Sequence, residues 1–218
     1  MIKPSRAFEA GQGCFITFEG GEGAGKSTQL NTLAETLRRR GLEVVTTREP
    51  GGTPEAEALR AILLTAENLD WKPLEEVLVI FAARHSHIRN VIKPALDNGA
   101  WVLCDRFTDS TRAYQGYGHG VDEHLIDALS QTAQLGVYPD LTLVLDVDVE
   151  TGLTRARERR GDNNRYDAAS AAFHQKVRNG FHAIAKRDPD RVRLVDASSE
   201  QETVAAAILD ALGDFLPP

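Results

Sequence analysis

The segment Gly20-Gly21-Glu22-Gly23-Ala24-Gly25-Lys26-Ser27 constrains this chain more than any other stretch. It fits the pattern G-x-x-x-x-G-K-[ST] without a gap. An apolar run, Cys14 to Phe18, precedes it and reads as a buried strand; residues 28–40 follow it and read as a helix. Strand, glycine-rich loop and helix in that order turn the pattern into a phosphate-binding site. The glycines let the backbone curl so that successive N–H groups face one concavity. The helix N-terminus adds partial positive charge there. Lys26 can reach the β- and γ-phosphates of a nucleotide, and Ser27 can put its hydroxyl on Mg²⁺.

The remainder of the chain alternates strands with helices. Strands are expected at 14–19, 42–47, 101–104, 141–146 and 192–195. Helices are expected at 54–64, 74–98, 122–135, 150–160, 170–187 and 201–215, and a short helix or turn at 109–117. Thr53 and Pro54 mark a helix start, Asp122 another, and Gly41 a helix stop. Pro94 is expected to kink the last turn of the long helix. This order predicts an α/β domain: a parallel sheet with helices on both faces and ligands at the carboxyl ends of the strands. Residues 1–12 read as a flexible polar lead-in and 13–218 as one domain.

Bulk properties narrow the partners. Lys and Arg number 25 against 32 Asp and Glu, a formal charge of −7, which argues against a dedicated polynucleotide binder. A small phosphorylated substrate needs only a local cluster of cations. Cys14 and Cys104 lie in apolar runs without paired spacing and read as buried free thiols. No run approaches the about 20 apolar residues of a membrane span, and the N-terminus has no apolar signal core. A soluble, cytoplasmic protein without membrane or nucleic-acid partners is expected.

The strong polar signals follow strands. Arg48 follows the second strand; Asp105 and Arg106 follow the third. A carboxylate beside a phosphate loop helps to hold Mg²⁺, which makes Asp105 a metal candidate, favoured over the alternative of a helix cap or an ion-pair partner for Arg106. Arg106 offers a planar fork suited to phosphate. Arg155, Arg157, Arg159, Arg160 and Arg165 form a dense cationic patch. A solvated helix face is the ordinary reading; a lid at about 155–168 that closes over a triphosphate is the sharper one. Phe81 and Arg84 stand one helical turn apart, either as core and surface residues or as a base-recognition pair. His85 and His87, at i and i+2 of a helix, point apart and do not suggest a metal site.

With these blocks in view, the chain over about 13–213 resembles thymidylate kinases of the bacterial type. The resemblance rests on 18–28, on Thr47-Arg48-Glu49-Pro50-Gly51-Gly52-Thr53, on Phe81-Ala82-Ala83-Arg84, on 91–96, and on Asp105-Arg106 followed by Ser110-Thr111 and Ala113-Tyr114-Gln115-Gly116. Tyr138-Pro139-Asp140-Leu141-Thr142 and Leu145-Asp146-Val147 add two further blocks. It implies a P-loop NTPase fold with a five-stranded parallel sheet and a small arginine-rich lid. The implied reaction is transfer of the γ-phosphoryl group of Mg·ATP to dTMP, giving dTDP and ADP. A homodimer is implied too, for which the apolar stripe around 77–88 would suit, as it would equally suit the internal core.

Carried over by position, Gly20, Gly21, Glu22, Gly23, Ala24, Gly25, Lys26, Ser27, Thr28, Arg157 and Arg165 would bind ATP. Glu22, Arg48, Phe81, Arg84, Arg106, Ser110, Thr111, Tyr114 and Gln115 would bind dTMP. Ser27 and Asp105 would serve Mg²⁺, and Lys26, Arg106 and Arg159 would be catalytic. Within that scheme Phe81 stacks on the base, Arg84 and Thr111 read its edge, and Tyr114 crowds a ribose 2′-hydroxyl. The acidic Glu22 marks members that supply transition-state charge from the lid. Two positions depart from the family pattern: Phe107 replaces a polar ring, and Asp167 replaces a glutamate after Arg165. The lid register is open by one residue. A kinase of another nucleotide, or a nucleotide-dependent switch, are the competing readings; the Asn-Lys-x-Asp motif of GTP-binding switches is absent from the sequence.

Overall fold

The computed structural model describes residues 12–65, 69–158, 166 and 169–216. Residues 1–11 of the expected lead-in, together with Arg159, Arg160, Arg165 and Asp167 of the expected lid, lie outside the described residues. Five strands form one parallel sheet in the order β2-β3-β1-β4-β5: β1 (Cys14–Glu19), β2 (Val44–Arg48), β3 (Trp101–Asp105), β4 (Leu141–Asp146) and β5 (Val192–Asp196). β1 is central and buried at every residue, whereas the edge strands β2 and β5 contain exposed positions. That contrast follows from cover on both faces at the centre of a parallel sheet.

Alternation along β1 divides the core. Cys14, Ile16 and Phe18 face α1 (Lys26–Arg39) through Leu30, Leu33 and Leu37. Phe15 points the other way, to Ile88, Ile92 and Phe107. β3 and β4 flank β1 on opposite sides, so the chain order reverses at β1 and opens a crevice at its carboxyl end. The glycine-rich loop occupies that crevice.

Capping follows the sequence signals. The Thr53 hydroxyl accepts the Ala56 N–H at the start of α2 (Pro54–Thr65), and Gly41 has φ +83° just beyond α1. The long helical pattern at 74–98 is divided: α3 (Pro73–His87), a widened π segment at Ile88–Ile92, and α4 (Lys93–Asp97). Pro94 has no N–H to donate, and the Lys93 amide reaches back to the Ile88 carbonyl. The irregularity therefore lies before the proline rather than in the last turn.

A second widened segment, Arg112–Gly118, follows the short α5 (Thr108–Thr111) and precedes α6 (Glu123–Ala133). The stretch 109–117, expected as a short helix or turn, is thus helical and made of two elements. α7 (Val149–Glu158), α8 (Ala171–Arg187) and α9 (Gln201–Leu212) complete the helical layers. The apolar stripe of α3 turns inward: Val77 and Phe81 pack with Ile126 of α6. Leu74 and Leu78, by contrast, are about half exposed, at 48% and 49%.

Candidate active site

β1 ends in Glu19 and the backbone enters the loop at Gly20, with Gly20, Gly23 and Gly25 all at positive φ. Gly23 has a second constraint. A Cβ there would lie 1.8 Å from the Gly152 carbonyl oxygen of α7, and a Cβ on Gly152 would lie 2.5 Å from the Glu22 carbonyl. Two glycines from distant parts of the chain let loop and helix touch backbone to backbone.

α1 begins at Lys26, so Lys26 and Ser27 occupy its first turn. The Lys26 ammonium is buried and donates to the carbonyls of Gly20 at 3.2 Å and Gly21 at 2.8 Å. Burial, aided by the like charge of Arg106, pushes its pKa down to about 8 against the pull of Asp105, Glu22 and Glu19. The Ser27 hydroxyl donates to Asp105 Oδ2 at 2.6 Å, bringing two hard oxygen groups together at the end of the loop. Thr28 is exposed and does not line the cavity.

Parallel register aligns Arg48 with Asp105 and Asp105 with Phe18, so β1, β2 and β3 deliver their polar ends to one edge. Arg106 follows in a left-handed conformation, φ +69°. Its Nη1 donates to the Gly20 carbonyl and the Ser110 hydroxyl; its Nη2 donates to Glu22 Oε1 at 2.9 Å and to the Tyr114 hydroxyl at 3.1 Å. The Tyr114 hydroxyl in turn donates to Glu22 at 3.0 Å. Burial opposes the Glu22 charge, but Arg106 and Lys26 hold its pKa down to about 2.

A cavity of about 380 Å³ runs from this centre to α3. Arg48, Arg60 and Arg106 line it near the loop, Tyr114 and Gln115 along one side, and Arg84 and Thr111 at the far end. Arg84 is buried at 2% exposure. Its Nε donates to Glu49, its Nη2 donates to the Thr111 hydroxyl at 3.0 Å, and its Nη1 has no hydrogen-bond partner among the described residues. Its guanidinium lies 4.7 Å from the Phe81 ring centroid and 5.0 Å from that of Phe107.

The structure corrects one expected contact. Phe81 does not line the cavity; Ile80 does, beside Leu63, Leu64 and Phe107. A one-residue step turns a helical side chain by about 100°, and here it directs the ring to Val77 and Ile126. Phe107 therefore contributes an apolar wall where a polar ring would offer a hydrogen bond. Gln115 donates to Glu76 and to the Tyr166 hydroxyl, both at 3.0 Å, tying the cavity wall to α3 and to the far end of the expected lid.

The arginine patch divides. Arg155 donates to the carbonyls of Ala197 and Ser198, so it holds the β5–α9 connection rather than a lid. Arg157 is exposed in the last turn of α7 and does not line the cavity; Ala156 does. Sequence reading missed Arg60, whose pKa is depressed by burial and by the neighbouring cations Arg48 and Arg106. An arginine on the Leu63–Leu64 side of α2, just after the Arg48 loop, was the available signal.

Phosphate loop, cation cluster and a cavity that runs on from the loop, on a switch-point sheet, define a P-loop nucleoside monophosphate kinase. The thymidylate kinase family model matches residues 18–208. The chain is 51% identical to the thymidylate kinase of Caulobacter vibrioides, an alignment covering 92% of this chain and 96% of that one. It is 50% identical to the thymidylate kinase of Magnetococcus marinus, over 90% and 94%. The crystal structure of thymidylate kinase from Ehrlichia chaffeensis superposes with a TM-score of 0.74 at 38% identity, covering 92% of this chain and 99% of that one. The chain belongs to the thymidylate kinase family.

Proposed function

We propose that the chain transfers the γ-phosphoryl group of ATP to the 5′-phosphate of dTMP, giving dTDP and ADP. The observation that carries this reading is the buried, unpartnered Nη1 of Arg84 at the far end of the cavity that opens from the phosphate loop. A buried donor without a partner costs about 1–3 kcal/mol, and a base carbonyl would relieve it. Thr111, already bonded to Arg84, reads the same base edge. Ile80, Leu63 and Phe107 give the ring an apolar wall. Tyr114, held by Glu22 and Arg106, narrows the space beside the sugar.

Arg48, Arg60 and Arg106 suit the acceptor phosphate, and Lys26 the ATP phosphates. The acceptor is already an anion at neutral pH, so alignment and charge stabilisation do most of the work. Ser27 and Asp105 would hold Mg²⁺, a small cation that takes few protein ligands and completes its shell with phosphate and water. When bound, it would neutralise charge on the β- and γ-phosphates. No helix among the described residues is long and apolar enough to cross a membrane; a cytoplasmic site of action is part of this reading. The half-exposed Leu74 and Leu78 support α3 as the face for a second copy of the chain. Arg159 remains the lid cation of this reading, with Arg157 and Arg165 beside it. Phosphorus NMR of ATP mixed with dTMP and enzyme tests the reaction: resonances of dTDP and ADP are expected, whereas inorganic phosphate and ADP alone would contradict it.

A further inference from the structure

The acceptor cation Arg106 sits on a strained turn that another residue fastens from across the sheet. Arg106 adopts φ +69°, unusual for a side chain with a Cβ. The residue after it, Phe107, donates its amide to Glu19 Oε1 at 2.8 Å. Ser110, one helical turn on, donates its hydroxyl to Glu19 Oε2. That same hydroxyl accepts from Arg106 Nη1 at 3.1 Å. Glu19 is fully buried at the end of β1, immediately before the phosphate loop, and Arg106 Nη1 also donates to the Gly20 carbonyl. One carboxyl group thus holds two groups that follow Arg106, the Phe107 amide and the Ser110 hydroxyl, and the hydroxyl passes the contact on to the guanidinium.

We propose that Glu19 is a positioning residue that sets the place of the Arg106 guanidinium relative to the phosphate loop, so that acceptor affinity depends on a side chain that does not line the cavity. The arrangement has a chemical logic. A strained backbone at a functional residue persists only when its surroundings over-determine it. The two groups held by Glu19 lie at the N-cap and in the first turn of the helical run that begins at Thr108. The surroundings of Glu19 are crowded with charge: Asp109 faces it from α5, while Arg106 and Lys26 approach from the turn and the loop. Asp109 is occupied elsewhere, accepting from Arg191 and Arg112, so it does not compete for the Phe107 amide. Glu19 is left to hold the turn.

The inference rests on the reading of Arg106 as an acceptor-phosphate ligand, and the test separates the two. Steady-state kinetics on Glu19→Asp, Glu19→Gln, Arg106→Lys and the Glu19→Asp/Arg106→Lys pair would be compared. Aspartate is one methylene short and cannot span both partners. It is expected to raise the KM for dTMP about tenfold or more while the KM for ATP stays near that of the parent. Glutamine keeps the length and one acceptor oxygen, and its loss is expected to be smaller. In the Arg106→Lys background the aspartate change is expected to add little, because both act on one contact. Additive losses, equal losses for ATP and dTMP, or an unchanged dTMP KM in Glu19→Asp would overturn the positioning role. An unchanged dTMP KM in Arg106→Lys would instead overturn the reading of Arg106.

Discussion

Arg84 Nε donates to Glu49 Oε2 at 2.6 Å, and both side chains are 2% exposed. The pair joins the loop after β2 to α3, and the other oxygen of Glu49 meets His87 Nδ1 at 3.0 Å. Glu49 therefore orients an arginine that lines the cavity. Glu49→Ala would leave a buried guanidinium without its counter-charge, which typically costs about 3–5 kcal/mol. A urea unfolding series should show a loss of that size, with a raised KM for dTMP in whatever folds.

The neighbouring Ile80 and Phe81 separate cavity wall from core. Ile80→Ala opens the cavity and is expected to raise the KM for dTMP several-fold. Phe81→Leu changes the packing against Val77 and Ile126 and is expected to lower stability by about 1 kcal/mol or more, with a smaller effect on that KM. Parallel kinetics and thermal unfolding of the two variants check the contrast. The opposite pattern would return the base to Phe81.

Gly152 lines no part of the cavity, yet a Cβ there would meet the Glu22 carbonyl at 2.5 Å. Gly152→Ala is expected to push the phosphate loop out of place and to raise the KM for ATP about tenfold or more. Calorimetric titration with a non-hydrolysable ATP analogue checks this directly.

Glu19 also predicts a pH dependence of stability. Burial, then the Asp109 charge, pushes its carboxyl up to about 8. Between about 4.5 and that value the folded chain keeps a proton that the unfolded chain has lost. Its contribution to stability therefore falls as pH rises through this window, by at most about 1.4 kcal/mol per pH unit. Lys26, with its pKa lowered to about 8, acts with the opposite sign, and only above that pH. Glu22, held down to about 2, adds stability that is lost as pH falls from about 4.5 towards that value. Urea midpoints of the parent and of Glu19→Gln from pH 5 to pH 8 should diverge, the parent falling relative to the variant.

The sheet, the phosphate loop and the polar strand ends were legible because each carries a local signal: apolar runs, glycine spacing, and charge after a strand. The α2 start at Thr53-Pro54 was legible for the same reason. Ile80 was not. Adjacent apolar residues on a helix both satisfy the core pattern, and only packing against α6 decides which of them turns to the cavity. Arg155 shows the same limit among charges, since its carbonyl partners at Ala197 and Ser198 come from a loop 42 and 43 residues away. The clasp of Glu19 on Phe107 spans 88 residues and follows from the β1–β3 pairing rather than from any spacing.

The most direct test of the whole account is ADP release from Mg·ATP by the purified protein, measured alone and with dTMP, UMP or thymidine. The account predicts strong stimulation by dTMP, little by UMP, whose 2′-hydroxyl meets Tyr114, and little by thymidine, which brings no phosphate to Arg48, Arg60 and Arg106. Turnover that ignores every acceptor, or that prefers thymidine or UMP to dTMP, would contradict it.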